Sequence, residues 1–512
     1  MQPDMSRAFP LMIQGTMSGV GKSLIVAGLC RLFYQDGCRV APFKSQNMAL
    51  NSFVTDEGLE MGRAQVMQAE AAGKIPSVLM NPVLLKPTSD TGSQVIVNGE
   101  VLATMSAREY FAYKEKLVPQ ILRSYSHLAQ ENDIIVLEGA GSPAEINLKQ
   151  HDIVNMGMAD MVDAPVLLVG DIDRGGVFAQ LVGTVELLEE TERRRVRGFI
   201  INKFRGDESL LVPGIEMLEA RTGIPVLGTV PYLPLNLDDE DSLSQRFDNE
   251  SAPKDAGVLD IAVVLLPHIA NFSDFTLLSS LPRVRLRYVR HTRMLGKPDL
   301  LILPGTKNTV ADLRWLKDCG MAAAIRDRPA EGVPLIGICG GYQMLGEHIE
   351  DGEGVEEGGS VEGLGLLPVR TVFRSRKTRT RVHGSFAELT GVLAPLSGMA
   401  VEGYEIHQGQ TEQAVENAAV TVLCADGREE LTADGSCRGN VYGTYLHGIF
   451  DTVETSWRLV HILAERRGLS LPDAPLPSFA QSKEAQYDAL ASCLRVHLDM
   501  EKVYALVGGR HG

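Results

Sequence analysis

Leu11-Met-Ile-Gln-Gly15-Thr16-Met-Ser-Gly19-Val-Gly21-Lys22-Ser23 runs from an apolar stretch through a glycine-rich turn into the helical stretch Leu24–Tyr34. A turn of that composition, between a strand and a helix, is built to hold phosphate. Glycines let backbone N–H groups wrap the phosphate oxygens, Lys22 reaches the outer phosphates, and the Ser23 hydroxyl can ligate Mg²⁺. The strict spacing asks for Gly at position 16, where this chain has Thr16. The expected ATP-binding set is therefore Gly15, Thr16, Gly19, Gly21, Lys22 and Ser23. An empty glycine-rich strand–helix turn is the bland alternative.

Working outward, short β-like runs alternate with helical stretches from 10 to 232. The strand candidates are Leu11–Gln14, Val40–Phe43, Ile134–Glu138, Val166–Gly170, Gly198–Asn202 and Val226–Val230. Apolar strands alternating with helices predict an α/β fold, here a doubly wound, mostly parallel sheet covered on both faces. Ligands of such sheets collect at the carboxyl ends of the strands. Glu138 ends one strand and is the expected second Mg²⁺ ligand. Asp171 and Asp173 follow another strand and can also hold metal, with Arg174 facing an anion. A solvated acidic turn is the competing view. Asn202, before Lys203, is positioned to read a nucleotide base.

The acidic stretch 237–257 breaks the alternation and reads as a linker between a first domain, 1–236, and a second α/β domain, 258–455. The second begins at Leu259-Asp-Ile-Ala-Val-Val-Leu-Leu266, with later strands at Leu300–Leu303 and Leu335–Ile338. Residues 456–512 read as a helical C-terminal appendage. Within the second domain, Pro334-Leu-Ile-Gly-Ile-Cys339-Gly-Gly-Tyr-Gln-Met-Leu-Gly346 puts a lone thiol on a tight strand-to-helix turn. Backbone N–H groups converge there, and a helix N-terminus favours the nucleophilic thiolate. A buried, inert cysteine is the alternative.

Bulk properties narrow the function. The chain has 512 residues and a formal net charge of −16, so no overall positive field draws nucleic acid. Seven cysteines, at 30, 38, 319, 339, 424, 437 and 493, include no C-x-x-C pair. That odd, scattered set fits a reducing cytoplasm better than a disulfide framework or zinc site. No apolar run reaches membrane-spanning length, and the N-terminus lacks a signal pattern. A cytoplasmic protein without membrane or nucleic-acid partners is expected.

Longer strings carry a family resemblance over nearly the whole chain. The first domain resembles dethiobiotin synthetases. Pro42-Phe-Lys-Ser-Gln-Asn-Met-Ala-Leu-Asn-Ser52, Glu60-Met-Gly-Arg-Ala-Gln65 and Met80-Asn-Pro-Val-Leu-Leu-Lys-Pro-Thr-Ser-Asp90 resemble, more specifically, the cobyric acid synthase family. So do Leu266-Pro-His-Ile-Ala-Asn-Phe-Ser-Asp-Phe275 and Leu303-Pro-Gly-Thr-Lys-Asn-Thr309. The resemblance implies ATP- and glutamine-dependent amidation of four carboxylates (b, d, e and g) of adenosylcobyrinic acid a,c-diamide, in cobalamin biosynthesis. Its partners would be the corrinoid polycarboxylate, ATP and glutamine, with Mg²⁺; assembly into a homo-oligomer is left open. Lys44, Arg63, Lys86 and Arg174 would receive substrate carboxylates, each with a structural ion pair as its alternative. Asn47, Asn51, Gln65 and Asn81 would add polar contacts.

The second domain resembles class I glutamine amidotransferases of the cobyrinic and cobyric type. Cys339 would attack the glutamine amide and His447, in Tyr442-Gly-Thr-Tyr-Leu-His-Gly-Ile-Phe-Asp451, would activate it. Gly305 and Gly340 would supply oxyanion N–H groups. Many such domains carry a Glu two residues after the histidine, where this chain has Ile449, so a Cys–His dyad is expected. Glu405 or His407, in Gly403-Tyr-Glu-Ile-His-Gln-Gly409, would either support the site or be purely structural. The basic runs Pro282–Arg290 and Arg374–Arg381 read mainly as solvated faces. Rival readings are a cobyrinic acid a,c-diamide synthase, a cytidine triphosphate synthase, and a positioning ATPase related through the first domain alone.

Overall fold

A computed structural model describes residues 8–88, 92–235, 237, 247, 251, 255, 257–412, 418–425, 432–471 and 479–509. Most of the expected linker, 237–257, and the last two residues of the 80–90 string lie outside the described residues. The first sheet is built from β1 (Phe9–Gly15), β2 (Val40–Phe43), β3 (Ile134–Glu138), β4 (Val166–Asp171), β5 (Val196–Phe204) and β6 (Val226–Pro231), in the order β6-β5-β4-β1-β3-β2. Every pairing in it is parallel. All six expected strands form, because each apolar run is long enough to span the sheet and is covered on both faces.

Helix α1 (Lys22–Gln35) leaves β1 through the glycine-rich turn. The strings at 42–90 build a smaller module beside it: helix α2 (Arg63–Ala71) and a four-stranded sheet from Gln46–Met48, Val83–Pro87, Gly92–Val97 and Glu100–Ser106.

The second sheet contains β7 (Leu259–Val264), β8 (Val284–Val289), β9 (Leu300–Leu303), β10 (Leu335–Ile338), β13 (Ser436–Arg438) and β14 (Val441–Thr444), ordered β8-β7-β9-β10-β14-β13. It is parallel except at its β13 edge. Helices α3 (Thr309–Asp318) and α4 (Gly340–Leu345) follow β9 and β10. Between β10 and β13 the chain forms a long antiparallel pair, β11 (Arg370–Phe386) with β12 (Ala400–Glu412).

The basic run 374–381 lies on β11 and is a solvated face only in part: Arg374 and Arg376 are exposed, and the other cations of the run meet the first domain. Lys377 pairs with Glu60 at 2.6 Å, Arg379 with Glu100 at 2.6 Å, and Arg381 with Asp56, all three carboxylates being in the first domain. In the other run Arg287 is fully buried and holds Asp260 through two bonds of 2.6 and 2.9 Å. Alternating charge along a strand looks alike whether its partner is water or a carboxylate far away in sequence.

The segment read as one appendage divides. Helix α5 (Val453–Arg467) buries Leu459, Val460 and Leu463 in the core of the second sheet. Helices α6 (Phe479–His497) and α7 (Met500–Leu506) return to the first sheet, where Tyr487, Leu490, Leu494 and Val503 join the core around α1. Arg31 on α1 pairs with Glu484 and Asp488 on α6, each at 2.7 Å. Among the described residues no helix is long and apolar enough to cross a membrane.

Candidate functional site

The thiol end is assembled at the carboxyl edge of the second sheet. Cys339 stands between β10 and α4 at φ 51°, a left-handed conformation uncommon for a residue with a side chain. Strain of this kind persists only where the surroundings hold it. Here they do: a Cβ on Gly341 would meet the Leu303 carbonyl oxygen at 2.0 Å, so β9 presses directly on the turn. Cys339 and His447 are both buried, at 7% and 1% exposure, and hydrogen-bond one another. The turn after β9 closes the other side; a Cβ on Gly305 would lie 2.9 Å from Cε1 of His447.

The dyad expectation needs correction. Asp274 Oδ2 lies 2.7 Å from Nδ1 of His447, and Asp274 Oδ1 accepts the Gly448 N–H at 3.1 Å. The carboxylate therefore fixes the imidazole and leaves its other nitrogen for the thiol, the arrangement of a Cys–His–Asp triad. Burial alone would disfavour the imidazolium, but Asp274 and then Cys339 outweigh it and raise His447 to about 10. Ile449, in the position where a Glu was missed, is buried in the apolar core. Glu405 and His407 do not serve His447: His407 stacks on Tyr445 with ring centroids 3.7 Å apart, and its Nε2 lies 3.7 Å from Glu405. Asp274 escaped sequence reading because it is 173 residues from His447 and on a different element. Its only signal was membership of the 266–275 string.

The phosphate end lies at the carboxyl edge of the first sheet. Glu138 on β3 is buried and accepts from Ser23 Oγ at 3.0 Å, Lys44 Nζ at 2.8 Å and Gln68 Nε2 at 2.5 Å. Burial would raise its carboxyl, but Lys44, Gln68 and Lys22 together hold it below the usual range. Lys22 Nζ donates to the carbonyls of Met17 and Gly141 at 3.0 and 3.2 Å, across the mouth of the glycine-rich turn. Asp171 lies on the opposite side of β1 from Glu138 and pairs with Lys203 at 3.0 Å, so the fold does not bring it to Ser23. Asp173 pairs with Arg205 at 3.1 Å. Asn202 donates to the Val20 carbonyl at 2.7 Å and so braces the turn. Thr16 bonds Gln180 at 3.0 Å. Gln68, unforeseen, reaches Glu138 because α2 packs against α1.

The expected substrate contacts disperse. Arg174 alone is exposed, close to Gly19. Lys44 serves Glu138. Asn47 donates to Gln65 at 3.0 Å, and Asn81 bonds the backbone of Gly62, Lys44 and Val83. Arg63 lies over the Phe53 ring at 5.3 Å and 3.9 Å from Asp451. Asn51 and Asn271 exchange bonds across the two domains: Asn51 accepts from the Phe272 N–H at 3.1 Å, Asn271 from the Ser52 N–H at 3.0 Å. Tyr404, stacked on His447, donates to the Ser52 carbonyl at 3.0 Å. The thiol site is therefore built against the first domain. Lys86 pairs with Glu60 at 2.8 Å and reaches the cleft above Cys339.

Glu60 is the electrostatic centre of this junction. Burial opposes its charge, yet Lys377 and Lys86 hold its carboxyl well below the ordinary range. Glu60→Gln is expected to strand two buried ammonium groups and to cost about 3–5 kcal/mol of stability. Thermal unfolding of the two proteins checks this. An unchanged melting temperature would show that the junction tolerates the loss.

Thiol chemistry at one sheet edge and phosphate chemistry at another, in domains docked through shared side chains, mark a glutamine-dependent ligase that activates its acceptor with ATP. The comparisons narrow the class. Residues 11–241 match a model described as the CobQ/CobB/MinD/ParA nucleotide binding domain, and residues 260–455 one described as the CobB/CobQ-like glutamine amidotransferase domain. The cobyric acid synthase of Ruminiclostridium cellulolyticum is 54% identical, covering 98% of this chain and 97% of its own. That of Lachnoclostridium phytofermentans is 52% identical over 97% of this chain and 98% of its own, and that of Citrobacter koseri 54% over the same shares. The chain belongs to the cobyric acid synthase family.

Proposed function

We propose that this chain takes ammonia from glutamine at Cys339 and transfers it to ATP-activated carboxylates of a corrinoid, the b, d, e and g groups of adenosylcobyrinic acid a,c-diamide. The observation that carries the reading is His447 bonded to both Cys339 and Asp274 in a domain docked onto the one that carries the glycine-rich loop. The thiol proton rests on His447, and the sulfur attacks the amide carbon. Backbone N–H groups of Gly305 and Gly340 face the resulting oxyanion. His447 then returns the proton to the leaving nitrogen, so ammonia departs and a thioester remains for water to cleave.

At the other end a carboxylate cannot condense with ammonia until its oxygen is converted to a better leaving group. Attack of the carboxylate on the γ-phosphorus of ATP gives an acyl phosphate, from which ammonia displaces phosphate. Lys22 offsets charge on the transferred group, and the backbone from Gly15 to Gly21 cradles the phosphates. Ser23 Oγ, the Glu138 carboxylate and Gln68 Oε1, which is buried with no hydrogen-bond partner among the described residues, form an all-oxygen set suited to Mg²⁺. Mg²⁺, when bound there, would screen phosphate charge. Arg174, exposed beside Gly19 of the loop, is the cation we assign to incoming carboxylates. A cytoplasmic location accords with six free cysteines among the described residues.

The reading is tested by incubating the protein with glutamine, Mg²⁺-ATP and individual corrinoids and following products by mass spectrometry. Stepwise conversion of four carboxyls of the a,c-diamide is expected. Failure of every cobyrinic derivative to gain an amide would sink it.

A further inference from the structure

The cleft above Cys339, about 510 Å³ including its open mouth, is lined by Lys86, Lys307, Lys377, Glu356 and Gln408 besides Cys339 and His447. Lys86 and Lys377 divide the two oxygens of Glu60 between them, at 2.8 and 2.6 Å. Glu356 accepts the Val310 N–H at 3.0 Å, at the start of α3. Lys307, two residues beyond Gly305 and half-buried, differs from both its lysine neighbours. Among the described residues its ammonium has no hydrogen-bond or ion-pair partner. Three ammonium groups thus share this part of the cleft with two carboxylates, Glu60 and Glu356, in a poorly solvated place. The crowding is felt: burial and then Lys86 push Lys307 down to about 8 despite Glu356, Glu60 and Cys339. Burial likewise lowers Lys377 to about 7. The lone ammonium of Lys307, beside Lys86 and facing the cleft, suits an incoming anion.

Glutamine can supply it. With its side-chain amide at the thiol, its α-carboxylate and α-ammonium trail along the cleft wall. We propose that Lys307, backed by Lys86 from the ATP domain, receives the glutamine α-carboxylate, and that Glu356 receives the α-ammonium. The inference rests on the glutaminase reading above and assigns its specificity. It also makes the glutamine pocket a joint product of two domains, since Lys86 belongs to the first.

The test compares ammonia release from glutamine and from 4-aminobutanamide, which keeps the amide and amine but lacks the α-carboxylate. Losing a charged hydrogen bond predicts that Lys307→Gln lowers kcat/KM for glutamine about 10- to 100-fold, chiefly through KM. The same variant should act on 4-aminobutanamide as the unaltered protein does, and Lys307→Arg should regain much of the preference for glutamine. Where turnover of the analogue is too slow to follow, its inhibition constant against glutamine serves the same comparison. An equal fall on both compounds, or a fall in kcat alone, would overturn the inference. If the unaltered protein releases no ammonia from glutamine, the glutaminase reading falls and this inference with it. If it does and Lys307→Gln is indifferent, only the inference falls.

Discussion

Cys339→Ala is expected to abolish glutamine-dependent amidation, by at least about 10⁴-fold, while added ammonia still supports the reaction. The sulfur is what forms the thioester, and alanine can form none. The acceptor chemistry is the part proposed for Lys22 and Ser23 on α1 and Glu138 on β3, all in the first domain. Steady-state rates with glutamine and with ammonium, measured on one corrinoid, separate the two activities. Equal loss of both would contradict a division of labour between the domains.

Asp274→Asn carries the second large effect, a fall in glutamine-dependent kcat of about 10²- to 10⁴-fold. The amide keeps the shape but neither stabilises an imidazolium nor enforces the tautomer that presents Nε2 to the thiol. Its pH signature separates this role from mere packing. The pKa of His447 is raised to about 10, so the ring remains protonated through neutrality and loses its proton only as pH rises past that value. Removing the Asp274 charge takes away the largest raising influence and leaves burial, which lowers the pKa, opposed by Cys339 alone. The alkaline limb of the glutaminase profile should therefore move to lower pH in Asp274→Asn, while the profile with ammonia stays where it was. A variant with reduced rate and an unmoved limb would assign Asp274 to the scaffold.

The parallel sheets were legible because continuous apolar runs bounded by turn residues have few other solutions. Val40–Phe43, Ile134–Glu138, Leu300–Leu303 and Leu335–Ile338 form as read. Local chemistry was equally legible: Lys22 and Ser23 sit beside their glycines, and Cys339 occupies its tight turn. What escaped depends on contacts between distant segments. Asp274 meets His447, Lys377 meets Glu60 and Gln68 meets Glu138 only after the domains fold and dock. Periodicity and spacing report on neighbours in sequence, so they pass over such pairs.

The same limit explains Lys44, Lys86 and Asn51. Each was expected to contact substrate, but each is buried and has a protein group as its partner. Lys44 joins Glu138, Lys86 joins Glu60, and Asn51 joins the backbone of Phe272. The C-terminal helices divide for a comparable reason. The apolar face of α5 fits the second core and that of α6 the first, and helical pattern alone names no recipient.

The central claim is that one chain makes ammonia at Cys339 and spends it on corrinoid carboxylates activated beside Lys22. Its most direct test supplies glutamine labelled with heavy nitrogen in the side-chain amide, together with unlabelled ammonium, Mg²⁺-ATP and the a,c-diamide. Mass spectrometry of the product then reads the source of each new amide. Heavy nitrogen in all four amides, replaced by unlabelled nitrogen in Cys339→Ala, is the predicted result. Unlabelled amides from the unaltered protein, or no amides with either nitrogen source, would contradict the account.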